Sequence, residues 1–209
     1  LGWKLKSFRK KLIHHHNFGD FLSYYLVDAL SKSRVSLAQE LENGKFLAIG
    51  SILWALQDQD VIWGSGAYRE NHVPSRTGTR CVAVRGPLTL RELKNVGSVA
   101  ECCEPLFFDP AILLPLVKPA LKSHSKVKGK TTLIPHYSDI ERLRNWQKAK
   151  GHSLSIIDPM KHHPLKVAEE IAQSERVVSS SLHGIILADS LGVPVVPFRF
   201  EGNHEPHFK

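Results

Sequence analysis

The feature that most constrains the fold lies after Lys130. There, apolar runs of strand length alternate with helical patterns, as expected of β-α units wound about a parallel sheet. Thr131 to Pro135 precedes a helix over Ile140 to Lys150 stopped by Gly151, and Leu154 to Ile157 precedes a helix over Pro164 to Ser174. Arg176 to Ser179 runs into the helix of HGIILADSL, closed by Gly192, and Val193 to Phe198 supplies a last strand. The first half repeats the plan less regularly. A helix is expected over Phe21 to Leu30 after a glycine turn, with short strands at Phe46 to Ile49, Val61 to Trp63 and Cys81 to Val84, and a helix over Leu88 to Val96 opened by Pro87. Two α/β lobes follow, 1–118 and 119–209, joined near Leu116 to Lys130, with a cleft between them. Ligands in such folds bind at the carboxyl ends of the strands.

Composition removes other classes. With 209 residues, 42% hydrophobic and 23% charged, the chain is long and apolar enough to bury a core and is neither disordered nor collagen-like. Its longest mainly apolar stretch, Leu47 to Leu56, is broken by Gly50 and Ser51 and falls short of the roughly 20 residues of a membrane-spanning helix. The formal charge of +8 suits anionic ligands in general, but the densest basic stretch (Lys118, Lys122, Lys126, Lys128, Lys130) lies among Pro, Ser and Gly and reads as a solvated linker. No nucleic-acid partner is expected. Cys81, Cys102 and Cys103 cannot all pair within the chain, which favours a reducing compartment. The chain opens on Leu1 rather than Met, with a basic stretch (Lys4, Lys6, Arg9, Lys10, Lys11) that lacks a signal peptide's apolar core, and the sequence leaves open whether it is a fragment. His14, His15 and His16 are consecutive and cannot converge on one face, so no metal site is expected.

The strongest local signal is Val177 to Ile186, VVSSSLHGII, where a strand passes through Ser179, Ser180 and Ser181 into a helix whose first turn holds His183 and Gly184. Helix-start N–H groups and the helix dipole favour an anion, and an imidazole placed there can hold it or give a proton to a leaving oxygen. The competing reading is that the serines only cap the helix. His136, in IPHYSD, stands at another strand end in the same manner. In VRGPLT, Arg85 follows a strand and precedes a helix; its planar fork suits a carboxylate or phosphate, with a structural ion pair as the alternative. Glycine turns at Gly64, Ser65 and Gly66, and at Asn17 to Asp20, could admit a ligand.

Taken in order, NFGD, GSIL, WGSG, VRGPLT, DPAILLP, IPHYSD and SSSLHGIILADSLGVP resemble the polysaccharide pyruvyl transferase family over Asn17 to about Phe198, above all its short bacterial exopolysaccharide members. The resemblance implies an α/β fold of two Rossmann-like lobes, similar to the GT-B glycosyltransferases. It implies transfer of the pyruvyl group of phosphoenolpyruvate onto two hydroxyls of a saccharide, forming a ketal without metal or cofactor. It assigns His183, Arg85 and His136 to catalysis and donor binding, with Ser179, Ser180, Ser181 and Gly184 around the donor. Asp20 becomes a base or sugar ligand on the acceptor side, together with Asn17, Gly64, Ser65 and Gly66. Ser181 stands where some members have a basic residue, so the donor's charge falls to Arg85 or Arg80. Phe108 stands where the family usually has Gly before Asp-Pro. The implied partners are phosphoenolpyruvate and a saccharide, with membrane contact only peripheral, through a lipid-linked acceptor. The implied compartment is the cytoplasm for bacterial members and the Golgi lumen for eukaryotic relatives. A nucleotide-sugar glycosyltransferase and a non-catalytic sugar- or anion-binding module are the alternatives.

Overall fold

A computed structural model of the chain describes residues 17–32, 35–36, 38, 42–151 and 154–200; the basic opening and the run His14 to His16 lie outside them. The described residues contain two parallel four-stranded sheets flanked by helices, as the alternating pattern implies. They divide into two compact units, one comprising Ser23–Pro110 and the other comprising 17–22 with 111–200. Among the described residues, no helix is long and apolar enough to cross a membrane.

In the first unit β1 (Phe46–Leu47), β2 (Val61–Trp63), β3 (Arg80–Val84) and β4 (Leu106–Phe107) pair in parallel and in sequence order. One face of this sheet, through Leu47, Ile62 and Val84, packs with Leu53, Leu56, Val73 and with Leu93 of α2 (Pro87–Asn95) into a single buried cluster. Lys45 and Asp60 join the entry of β1 to that of β2. The ammonium lies 2.6 Å from a carboxylate that also accepts the N–H groups of Lys45 and Gln57 at 2.8 Å. Burial pushes the Asp60 carboxyl up, while its hydrogen bonds and the ammonium pull it down. β4 has no counterpart in the sequence reading, because both its residues are exposed and carry no in-out alternation.

The second unit holds β5 (Thr131–Ile134), β6 (Ser155–Ile156), β7 (Arg176–Ser179) and β8 (Val195–Pro197) in the order β6-β5-β7-β8, all parallel. α4 (Ile140–Lys150) ends at Gly151, whose φ of 66° closes the helix in the left-handed conformation that glycine adopts without strain. α5 (Pro164–Ala172) and α6 (Leu182–Ser190) bury Val167, Ile171 and Leu187. The stretch read as a solvated linker is partly built. α3 (Leu114–Val117) and a 3-10 turn over Pro119–Ser123 bury Leu114 and Leu121, because apolar residues interleaved with the lysines find a core.

α1 spans Phe18–Ser31, so Gly19 lies inside a helix rather than in the glycine turn expected before Phe21. Up to Leu22 the helix belongs to the second unit and from Ser23 onward to the first.

The cysteines are free thiols. Burial, with Cys103 beside it, pushes the Cys81 thiol up to about 12, whereas Cys102 is exposed. Little of the Cys81 thiol is then thiolate, the species that reacts, at pH 8. Iodoacetamide followed by peptide mass spectrometry is expected to label Cys102 and spare Cys81 in the folded protein; equal labelling of the two would contradict this burial.

Candidate functional site

The strand order of the second unit fixes where a ligand can enter. The chain leaves β5 for β6 on one side and returns to β7 on the other, so the two connections part above the carboxyl ends of β5 and β7. Such a switch point opens a crevice that fixed backbone groups line. His136 to Asp139 follow β5 there, and Ser180 to Gly184 follow β7.

The two turns are stitched together by the serines. Ser179 is wholly buried, its hydroxyl 2.8 Å from the Ile134 carbonyl and 2.9 Å from that of Ser181, and it accepts the Ser181 N–H at 3.1 Å. Ser180 Oγ accepts the His136 N–H at 2.8 Å and donates to Asp139 Oδ2 at 3.2 Å. Ser181 sits at the N-cap of α6 but makes no side-chain capping bond, so the plain capping reading fails for it. Gly184 is required by space, since a Cβ there would meet Ser179 Oγ at 2.5 Å and Ile134 Cγ2 at 3.0 Å.

His183, in the first turn of α6, is 6% exposed. One wall of its pocket is the start of α1. A Cβ on Gly19 would fall 1.9 Å from His183 Nδ1 and 2.4 Å from Cγ, and Phe18 presents an edge contact with ring centroids 6.4 Å apart. The helix start is pinned by the Phe18 N–H to Pro159 carbonyl bond at 2.9 Å and by Asn17 Oδ1, which accepts the Gly19 N–H at 3.0 Å. Asn17 is therefore the cap of α1. Asp20, exposed in the first turn of this helix, belongs with Asn17 to the second unit and not to the N-terminal half, where chain order had put both. The reason is that Gly19 admits the ring of a residue 164 positions away in sequence.

In the first unit, Arg85 follows β3. Its Nε lies 3.4 Å from Asp109 Oδ2 and its Nη1 donates to Ser51 Oγ at 2.8 Å, with the two charged side chains 8% and 4% exposed. Gly66 lies flat against the guanidinium, where a Cβ would come within 2.7 Å of Nη1. Ser65 is fully buried, its hydroxyl donating to the Ala48 carbonyl at 2.8 Å and its own carbonyl accepting the Arg85 N–H at 3.3 Å. Gly64, with φ of 96°, packs on Pro110. Thus Gly64, Ser65, Gly66 and Arg85 are gathered at the carboxyl end of the first sheet. Arg80 is not among them, because it opens β3 at the opposite end, roughly 16 Å away along the strand. Phe108 packs edge-on against Trp63, with centroids 5.9 Å apart.

Sequence reasoning passed over Asp109 and Asp139 as site residues, although both lie in quoted motifs. Asp139 is 2% exposed and Asp109 7%; neither stands out locally, since Asp139 closes the polar run His136 to Asp139 and Asp109 follows a strand that carries no alternation. Among the described residues, no group of three or more His, Cys, Asp or Glu side chains is arranged to hold a metal ion.

The family model for polysaccharide pyruvyl transferase matches residues 80–201, which run from the start of β3 past β8 and include Arg85, His136 and the serine turn. An uncharacterized protein of Acanthamoeba polyphaga mimivirus is 28% identical over 207 residues, covering 95% of this chain and 71% of the relative. The succinoglycan biosynthesis protein ExoV of Rhizobium meliloti (strain 1021) is 30% identical over 186 residues, 86% of this chain and 55% of that protein. The chain thus spans little more than half of the ExoV length. No solved structure matches. By the family match across β3 to β8, the chain belongs to the polysaccharide pyruvyl transferase family.

Proposed function

We propose that the chain transfers the pyruvyl group of phosphoenolpyruvate to two hydroxyls of a saccharide in a polysaccharide or its precursor. In this reading the fold is GT-B-like, with 119–209 serving the donor and 1–118 the acceptor. The observation that carries it is the pair of imidazoles, His136 and His183, on the two turns of one switch point, beside the start of α6. Phosphoenolpyruvate is a small anion with a carboxylate and a phosphate. The dipole of α6 would attract that charge, and Ser180, Ser181 and Gly184 border the start of the helix. Arg85, at the carboxyl end of the first sheet, offers a planar cationic fork to an anion, and Asp20 is the candidate base or sugar ligand.

The reaction balances with two imidazoles. One gives a proton to C3 of the enol as the first hydroxyl oxygen bonds C2, and the other takes that hydroxyl's proton. In the second half the second hydroxyl displaces phosphate at C2; the departing phosphate oxygen receives the proton held by the second imidazole, and the first recovers one from the incoming hydroxyl. Both rings end as they began. Neutral-range titration is what suits imidazole to this exchange.

Thermal denaturation tests the reading. A ligand at a hundredfold excess over its Kd stabilises the folded state by about 2.7 kcal/mol, so phosphoenolpyruvate is expected to raise Tm by several degrees, and nucleotide sugars or inorganic phosphate to do less. Stabilisation by a nucleotide sugar alone would replace pyruvyl transfer by glycosyl transfer. No shift with either donor, together with binding of saccharide, would make the chain a binding module.

A further inference from the structure

The wall of the His183 pocket is the start of α1, and α1 is held by the loop from Asp158 to His163, which joins β6 to α5 at the carboxyl end of the second sheet. The hub of that loop is Asp158, which is buried. Its Oδ1 accepts the Met160 N–H at 3.0 Å and its carbonyl accepts the Lys161 N–H at 3.2 Å. A short polar side chain that bonds the backbone two residues on fixes a turn. Oδ2 lies 3.0 Å from Arg144 Nη2 on α4 and 3.7 Å from Lys161 Nζ, and Glu141 holds the other guanidinium nitrogen at 2.7 Å, so the turn is tied by charge to the neighbouring helix. Held in this way, the turn offers the Pro159 carbonyl to the Phe18 N–H at 2.9 Å, one of the donors that a helix start cannot satisfy within itself. At the far end of the loop, Phe21 sets its ring edge-on to His163, with centroids 6.1 Å apart. Between these two holds lies Gly19, on whose backbone the His183 ring rests.

We infer that Asp158 is a positioning residue for His183: it fixes the Pro159 turn, the turn fixes the start of α1, and Phe18 and Gly19 fix the imidazole. Its importance for turnover rests on the role of His183 in the proposed pyruvyl transfer. Every link is a direct contact, and close-packed contacts pass a displacement on rather than absorb it. Gly19 has no side chain that could turn aside, so a shift of the α1 start reaches the ring as a clash or as a gap. A displacement on the order of 1 Å at a reacting group costs about 10²-fold. Asp158 takes no part in proton transfer. Its oxygens serve the Met160 N–H on one side and two cations on the other, and substitution separates these tasks. Asparagine keeps an acceptor for the Met160 N–H and gives up the charge, whereas alanine gives up both.

The test reads the imidazoles without substrate. In protein labelled with ¹³C-histidine, the ring signals of His183 and His136 are assigned by their loss in His183→Gln and His136→Gln. Asp158→Ala is expected to shift the His183 signal and leave that of His136, on the turn after β5, in place. Asp158→Asn is expected to return the His183 signal toward its native position. Arg144→Met removes the tie to α4 and leaves the carboxylate; Arg144 is more exposed than Asp158, so this variant carries the test should Asp158→Ala fail to fold, with a smaller shift of His183 expected. A His183 signal unmoved by these variants, or equal movement of both imidazoles as in a general loosening, overturns the inference. In turnover, Asp158→Ala is expected to lower kcat about 10- to 100-fold, the usual cost of removing a group that orients an active side chain, with KM little changed. A raised KM at unchanged kcat overturns the positioning role. Should His183 move selectively in a chain that does not bind phosphoenolpyruvate, pyruvyl transfer falls and the hold of Asp158 on His183 stands; phosphoenolpyruvate binding with His183 unmoved gives the reverse.

Discussion

Gly19→Ala is expected to abolish most transfer activity while leaving every imidazole in the chain. The added methyl would lie 1.9 Å from His183 Nδ1 and 2.4 Å from Cγ, so swinging the ring tip aside is not enough; the whole ring or the start of α6 must move. A displacement on the order of 1 Å at a reacting group costs about 10²-fold, and His183→Ala, which removes the group, is expected to cost at least as much. Stability separates this from a simple loss of the side chain. In an open helix Gly→Ala gains up to about 1 kcal/mol, whereas overpacking costs roughly 1–3 kcal/mol, and a contact this short puts the balance on the side of loss. The double variant Gly19→Ala, His183→Ala makes room for the methyl and is expected to recover that loss, a coupling of about 1–3 kcal/mol in a double-mutant cycle. Additive effects would show that the two residues do not share the space. Gly86→Ala is the control, because nothing lies within 4 Å of a Cβ at Gly86.

Arg85→Ala is expected to cost about 3–5 kcal/mol of stability, the usual consequence of removing one member of a buried ion pair. Asp109 would stay buried after losing its guanidinium, and Ser51 and the flat face of Gly66 would lose their neighbour. Urea denaturation checks the figure; a loss below about 1 kcal/mol, as for exposed pairs, would refute the structural role. Arg85→Lys separates folding from donor binding. Lysine keeps the charge beside Asp109 but cannot form the planar fork, so a folded Arg85→Lys protein with weakened affinity for phosphoenolpyruvate by calorimetry supports the donor role assigned to Arg85. Unchanged affinity leaves Arg85 with the ion pair alone.

The residues that bear on these predictions were legible to different degrees. His183, His136 and the serines were visible because strand-to-helix turns announce themselves by apolar runs that stop at hydroxyls and glycine. Arg85 was visible as a cation after a strand, and both its readings, ligand and ion pair, were already open. Its partner Asp109 was not, since a contact between the ends of β3 and β4 depends on a strand, Leu106–Phe107, with no alternation to betray it. Gly19 was misplaced in a turn for a related reason. Glycine in sequence signals an unusual backbone conformation, whereas here it signals the close approach of another chain segment, which no local pattern encodes.

By itself the sequence determined the α/β class, the parallel pairing and the family, because hydrophobic period and turn chemistry are local properties that survive without knowledge of neighbours. Strand order is not local. Only the tertiary structure decided that β7 returns beside β5, which places His136 and Ser180 on one crevice, ties Ser180 to Asp139 and seats the His183 ring on Gly19. Each of those contacts joins residues separated by more than forty positions, and such pairings are set by how the sheet packs rather than by any run of residues.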